Sequence, residues 1–228
     1  MKWGLSMQLL AQWFGLVIMP MNKHMGLGLS KFLVLVLQVG LILNLYGCSP
    51  PFDWRTVRVE QQAYTALFPA KPQHLERQLN YKGDTLKQAL EVAKVADQIY
   101  SITTIQVPPA IASSADELMK QLQQAIFTKA NVDPASVLAV KSFYLTSGSP
   151  MRSPTADYFL LMKPVDGVER MMRVRWIMRS IPGLGLYIYQ LSLLKRAPKN
   201  SGPLSQAELQ ANLSDDNNAP FFTDFHPD

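Results

Sequence analysis

The sequence predicts an α+β domain in which an antiparallel sheet of about six to eight strands packs against one or two helices. Three observations lead there. Short segments rich in β-branched and aromatic residues recur between turn signals from residue 63 to residue 195. One segment, 113–130, has helical rather than alternating periodicity. Apolar residues make up 48% of the 228, enough for a core.

The chain opens on two apolar stretches, 3–20 and 32–47, ahead of Cys48. The second follows Lys31, is shorter than the roughly 20 residues of a spanning helix, and ends in a small residue, the layout of an export signal. Residues 1–47 therefore read as a disordered signal region. Met21 is an alternative true start, because MNKHMGLGLSK makes an ordinary positive lead-in. A competing reading is two uncleaved spanning helices joined by a short basic loop.

Leu45, Tyr46, Gly47 and Cys48 resemble the lipobox of bacterial lipoproteins, in which an aliphatic residue, a small one and a Gly or Ala precede a modified cysteine. Leu45, Gly47 and Cys48 match, and Tyr46 departs from the small residue usual there. A thiolate is a good nucleophile, so a diacylglyceryl donor can alkylate it. The resemblance implies cleavage before Cys48 and acylation of the freed amine. Each buried methylene contributes about 0.8 kcal/mol and one chain holds only marginally, so two or three chains make a stable anchor. Ser49 stands where an Asp would imply retention at the inner membrane. The implied location is thus the outer membrane, facing the periplasm, with the inner membrane as alternative. Cys48 is the only cysteine, which leaves no disulfide framework once it is lipidated. The remaining domain must fold on its core alone, and roughly 150 residues suffice for that.

Residues 48–55, with Pro50 and Pro51, read as a stiff tether to a single domain at 56–196. AYTALFP (63–69) is a strand stopped by Pro69, HLERQLNY (74–81) leads into the turn-forming KGD, and QIYSITTIQV (98–107) ends at a proline pair. Segment 84–97 has helical spacing at Leu86, Ala89, Leu90 and Ala93, yet its short connections suit a strand in a meander, and strand is the reading adopted. In 113–130, Ser113 or Ser114 is placed to cap a helix, with Asp116 or Glu117 reciprocating, and Leu118, Met119, Leu122, Ala125 and Ile126 form one stripe. Another strand is expected within 136–150. A hairpin follows, DYFLLMK and VERMMRVRWIMRS around PVDG. GLGLYIYQLSLLK (183–195) is apolar on both faces, as near the centre of a sheet. Residues 197–228 are polar and proline-punctuated, and read as a flexible tail in which SQAE starts one short helix and FFTDF is apolar enough to dock.

The net charge of +5 is uneven. Three of the 22 basic residues and none of the 17 acidic ones fall in 1–48, which leaves +2 for the rest and no nucleic-acid footprint. After Cys48 only His74 and His226 occur, without HExxH or CxxC, so no metal site and no cofactor is expected. No G-x-S-x-G is present, and GLGLY lacks phosphate-binding spacing. Asp97, Glu91 and Glu169 are the carboxylates whose convergence would matter. Alternation places Arg173, Arg175 and Arg179 on one strand face, opposite Met172, Val174, Trp176 and Met178. A wet basic face of this kind suits anionic headgroups or an acidic partner, because guanidinium meets phosphate bidentately.

Asp53, Trp54 and Arg55 after the lipobox, then Phe68, Pro69 and Pro72, resemble an uncharacterised family of envelope lipoproteins over roughly residues 48–195. That family is similar to the PsbP-like and DcrB-like sandwiches, and it implies a helix-bearing antiparallel sheet with no catalytic residues to carry over. The functional expectation is a non-enzymatic lipoprotein held to the membrane by its lipid anchor, with a binding or assembly role toward an envelope protein or lipid. The alternatives are a periplasmic hydrolase using Ser and His74 or paired carboxylates, and an inner-membrane protein with uncleaved helices.

Overall fold

A computed structural model of the chain describes residues 52–162, 167–198 and 204–228. The expected signal region and its lipobox, Leu45, Gly47 and Cys48, lie outside the described residues. What is described belongs to one unit, Pro50–Asp228.

Among the described residues ten strands and three α-helices follow in order: β1 (Arg55–Val59), β2 (Tyr64–Phe68), β3 (Gln73–Tyr81), β4 (Asp84–Val95), β5 (Gln98–Val107), α1 (Ala115–Lys129), β6 (Leu138–Leu145), β7 (Arg152–Met162), β8 (Arg170–Ile181), β9 (Gly185–Arg196), α2 (Gln206–Leu213), α3 (Ala219–Thr223) and β10 (His226–Pro227). Seven form one antiparallel sheet in the order β3-β4-β5-β9-β8-β7-β6. The other three form a small antiparallel sheet, β1-β2-β10. The expected α+β class holds, and β9, apolar on both faces, is the central strand.

Segment 84–97 is a strand despite its helical spacing. Lys82 and Gly83 both take positive φ, 50° and 91°, the conformation of a two-residue hairpin turn whose twist matches its strands. That turn lays β4 back along β3 from Tyr81↔Asp84 to Gln73↔Val92, and β5 pairs with its other edge. Two flanking ladders override the local preference.

Each face of the large sheet carries its own core. On one, Leu86, Ile105, Val107 and Ile188 meet Ala115 and Leu118 of α1, while Met172, Val174 and Trp176 meet Phe127. The helix starts two residues later than the first serine expected to cap it. A 3-10 turn, Pro109–Ser114, runs into it, so Ser114 is not extended (ψ 8°) and makes no side-chain cap. The opposite face is covered by the small sheet, α2 and α3. Tyr100, Ile102, Tyr189, Leu191 and Leu193 meet Tyr64, Phe68, Leu209, Leu213 and the phenylalanines 221, 222 and 225 there.

This second layer corrects two boundaries. The tether expected at 48–55 gives way to folded chain by Phe52. Phe52 and Trp54 pack on the core, Asp53 N donates to Pro69 O (2.9 Å), and Arg55 pairs with Phe68. The tail expected at 197–228 is likewise no flexible appendage over its described part. Ser205 and Glu208 close a reciprocal capping box at the start of α2, where SQAE was expected to begin a helix. Phe221, Phe222 and Phe225 are each fully buried, and β10 pairs with β2. Low overall apolarity suggested disorder, but five apolar anchors (Leu209, Leu213 and the three phenylalanines) hold the segment. Among the described residues no helix is long and apolar enough to cross a membrane.

Candidate functional site

Arg173, Arg175 and Arg179 of β8 do share a face, but at the first two it is not wet. Arg173 and Arg175 are 8% and 2% exposed and face the layer formed by α2 and α3. Register sets Asp157 of β7 opposite Arg175. Arg175 grips that carboxylate bidentately, Nε to Oδ1 at 2.6 Å and a terminal nitrogen to Oδ2 at 2.9 Å, and Arg173 adds 2.5 and 3.2 Å bonds to Oδ2. Burial alone would push the Asp157 carboxyl up. The hydrogen bond and charge of Arg175, joined by Arg173, outweigh it and hold the carboxyl below its ordinary value. Burial draws the Arg173 guanidinium down, with Asp157 opposing.

A terminal nitrogen of Arg175 also donates to the Ser142 hydroxyl of β6 (2.6 Å), and the remaining donors reach the C-terminal segment. Arg173 donates to Leu213 O (3.4 Å), Arg175 to Phe222 O (2.7 Å) and Arg179 Nε to Asp228 O (2.7 Å). Leu213 is the last residue of α2, whose final carbonyls have no partner within the helix. The Arg173 guanidinium also lies 3.9 Å over the Phe222 ring. The partners of these arginines in the structure are internal: one carboxylate, the Ser142 hydroxyl and three main-chain oxygens. Arg179, only half-buried, is the most accessible of the three.

A second polar cluster gathers at the other end of the sheet. Register aligns His74, Glu91 and Ile102 across β3, β4 and β5. Glu91, 3% exposed, accepts from the Tyr64 hydroxyl (3.0 Å) and from His74 Nδ1 (2.6 Å), while His74 Nε2 donates to Glu76 (3.1 Å). Burial first, then the Glu91 charge, push the Tyr64 hydroxyl far above the usual phenol range, so it stays a donor. The Glu91 hydrogen bond foremost, and Glu76 next, raise the His74 pKa above the ordinary histidine value against a small opposing effect of burial. Of the carboxylates singled out for acid/base work, Glu91 is thus engaged here, whereas Asp97 lies in the β4–β5 turn and Glu169 just ahead of β8. Among the described residues no three His, Cys, Asp or Glu side chains are grouped to hold a metal.

Beside this cluster the sheet is not fully covered. The next two cross-strand rows are Glu76–Ala89–Thr104–Tyr189 and Gln78–Lys87–Gln106–Tyr187. Ala89, the smallest side chain in either row, leaves room above itself, and the covering layer stops at the 3-10 turn Glu60–Gln62. The result is a cavity of about 690 Å³ lined by Gln61, Gln62, Thr104, Gln106 and Tyr187 together with residues of β3 and β4. That volume is in the small-molecule range of roughly 300–1,000 Å³. The turn that forms one wall is held firmly. Ala63 takes a left-handed φ of 52°, its carbonyl accepts from Asp228 N (3.0 Å), and the Tyr189 hydroxyl donates to Gln62 O (2.8 Å) and Ala63 O (3.1 Å). Gln62 Oε1 and Thr104 Oγ1 are buried without a protein partner.

No single motif marked this cavity in the sequence, because its residues come from five separated segments. The signal that existed was compositional: glutamines at 61, 62, 78 and 106, and a threonine in a strand otherwise packed inside. Asp157 was more legible, as a lone acid in an apolar strand whose hairpin partner carries arginines. A smaller cavity of about 300 Å³, lined in part by Met119, Tyr158, Trp176 and Met178, lies under α1, with Trp176 Nε1 buried and unpartnered.

No family model and no curated protein matches this chain.

Proposed function

We propose that the chain is a lipoprotein, acylated at Cys48 and facing the periplasm at the outer membrane, with a binding role in the cell envelope. One observation carries this reading. The only cysteine stands in LYGC directly after an apolar run led by Lys31. Phe52, the first described residue, already packs on the core of the folded unit. Only Ser49, Pro50 and Pro51 separate it from Cys48, four chain steps with a reach of at most about 14 Å. A lipid there would hold the domain close to the bilayer surface, with little slack. The binding role is supported by the partly uncovered sheet face beside β3 and by its unpartnered buried oxygens.

Cys48→Ser tests the anchor. The unsubstituted chain is expected to incorporate radiolabelled palmitate and to migrate as a processed form. The variant is expected to take up no label and to migrate as the precursor. Equal labelling and mobility of the two would refute acylation at Cys48. Mass spectrometry of the purified N-terminus separates the inner-membrane alternative, which requires an intact Met1 or Met21.

The rival hydrolase reading rests on His74, set between Glu91 and Glu76. Assaying His74→Ala on generic ester and glycan substrates decides it. An activity present in the parent chain and abolished by this substitution would overturn the binding reading.

A further inference from the structure

We infer that the cavity over β3, β4 and β5 is a binding site for a neutral, polyhydroxylated ligand, a saccharide of one or two units. The inference gives the binding role a ligand class, and it does not depend on the anchor at Cys48.

The chemistry of the lining selects among ligands. Every glutamine carboxamide brings donors and acceptors with no net charge, and a threonine hydroxyl brings both as well. Gln62 and Thr104 on the buried floor and wall each keep an oxygen without a partner. Gln78 and Gln106 stand at the exposed rim. Vicinal hydroxyls alternate donor and acceptor over a few ångströms, and they match such a set on both counts.

Other ligand classes fit less well. An acyl chain would strand these amides and the Thr104 hydroxyl, and an unpaired buried polar group is costly. An anion would meet Glu76 on one wall, and the nearby Arg77 already donates to Gln88. A planar base wants an open aromatic face, whereas Tyr187 is 2% exposed, with its ring stacked on Tyr189. Lys87 at the rim is compatible with a sugar hydroxyl, since an ammonium donates three hydrogen bonds.

The site is also preorganised. The Tyr189 hydroxyl and the Asp228 amide pin the turn that carries Gln62, and two ladders fix Thr104 between its neighbours. Little ordering is left to occur on binding, which favours affinity for a small ligand.

Titration calorimetry on the full chain, in a detergent without a sugar headgroup, tests the inference with N,N′-diacetylchitobiose and maltose as neutral probes. Inorganic phosphate and dodecanoate serve as anionic and apolar probes. Saturable binding of at least one disaccharide, tighter than either comparison probe, is expected. Thr104→Val removes the unpartnered hydroxyl at constant shape, so its Tm should hold or rise while the dissociation constant increases about tenfold, the loss of one hydrogen bond. Ala89→Leu fills the floor without removing a polar group and should abolish binding. Gln78→Ala, at an exposed position, keeps the test open if a core variant fails to fold, and it too should weaken binding. No saturable saccharide binding, tighter binding of phosphate or dodecanoate, or saccharide affinity unchanged in the folded variants would each overturn the assignment.

Discussion

Asp157 is a single carboxylate that answers to two buried guanidiniums, and its removal shows what that arrangement carries. Breaking a buried ion pair leaves uncompensated charge, which costs about 3–5 kcal/mol. Asp157→Ala strands both Arg173 and Arg175, each under 10% exposed, so a loss of that size is expected in urea unfolding. The same carboxyl sets an acid limit. Its folded pKa lies below the ordinary value, so its contribution is complete above the unfolded pKa and is lost as pH falls through the folded one. His74 acts in the opposite sense. Its folded pKa is raised, so its contribution is complete below the unfolded value and is lost as pH rises through the folded value. Stability measured across the neutral range should therefore decline toward alkaline pH, and His74→Gln should flatten that slope. A slope unchanged by the substitution would mean that the Glu91 contact contributes nothing to folding.

Among the elements, the C-terminal segment departs furthest from its local composition. Its last helix has five residues and would not persist alone, since isolated helices that short are marginal in water. Packing supplies the difference. Phe221 meets Phe68 and Tyr100, Phe225 meets Tyr64 and Tyr189, and Phe222 lies beneath Arg173. Phe222→Ala is expected to cost about 3–5 kcal/mol, a range typical of large core truncations, read from the midpoint of chemical unfolding. The strands are a different case. β5 and the β7–β8 hairpin were legible because side-chain type and turn chemistry agreed locally, and SQAE announced α2 through its capping pair. β1 was missed because two prolines and a short length masked it. It is a strand only because β2 offers it an edge, with Arg55 opposite Phe68.

At the scale of the whole folded unit, two layers lie on opposite faces of one sheet, and the central strand β9 contributes side chains to both cores. Leu191 and Leu193 point into one and Ile188 into the other. A shared strand couples the layers, so a single unfolding transition is expected. Beyond Cys48 the chain has two tryptophans, Trp54 beside the small sheet and Trp176 beneath α1. Trp54→Phe and Trp176→Phe each leave one reporter in that region, and the two fluorescence midpoints, corrected for the stability change of each substitution, should coincide. Distinct midpoints would show that the layers unfold independently. The sequence by itself determined the alternation of strands and turns, the amphipathic helix within 113–130 and the start of α2 at SQAE, because these depend on residues within a few positions of one another. The tertiary structure alone decided that Arg173 and Arg175 are buried, where the C-terminal segment docks and that a cavity opens beside β3. Each of these depends on partners far apart in the chain, Arg175 with Phe222 or Gln62 beside Thr104, and burial follows from which surfaces meet in space.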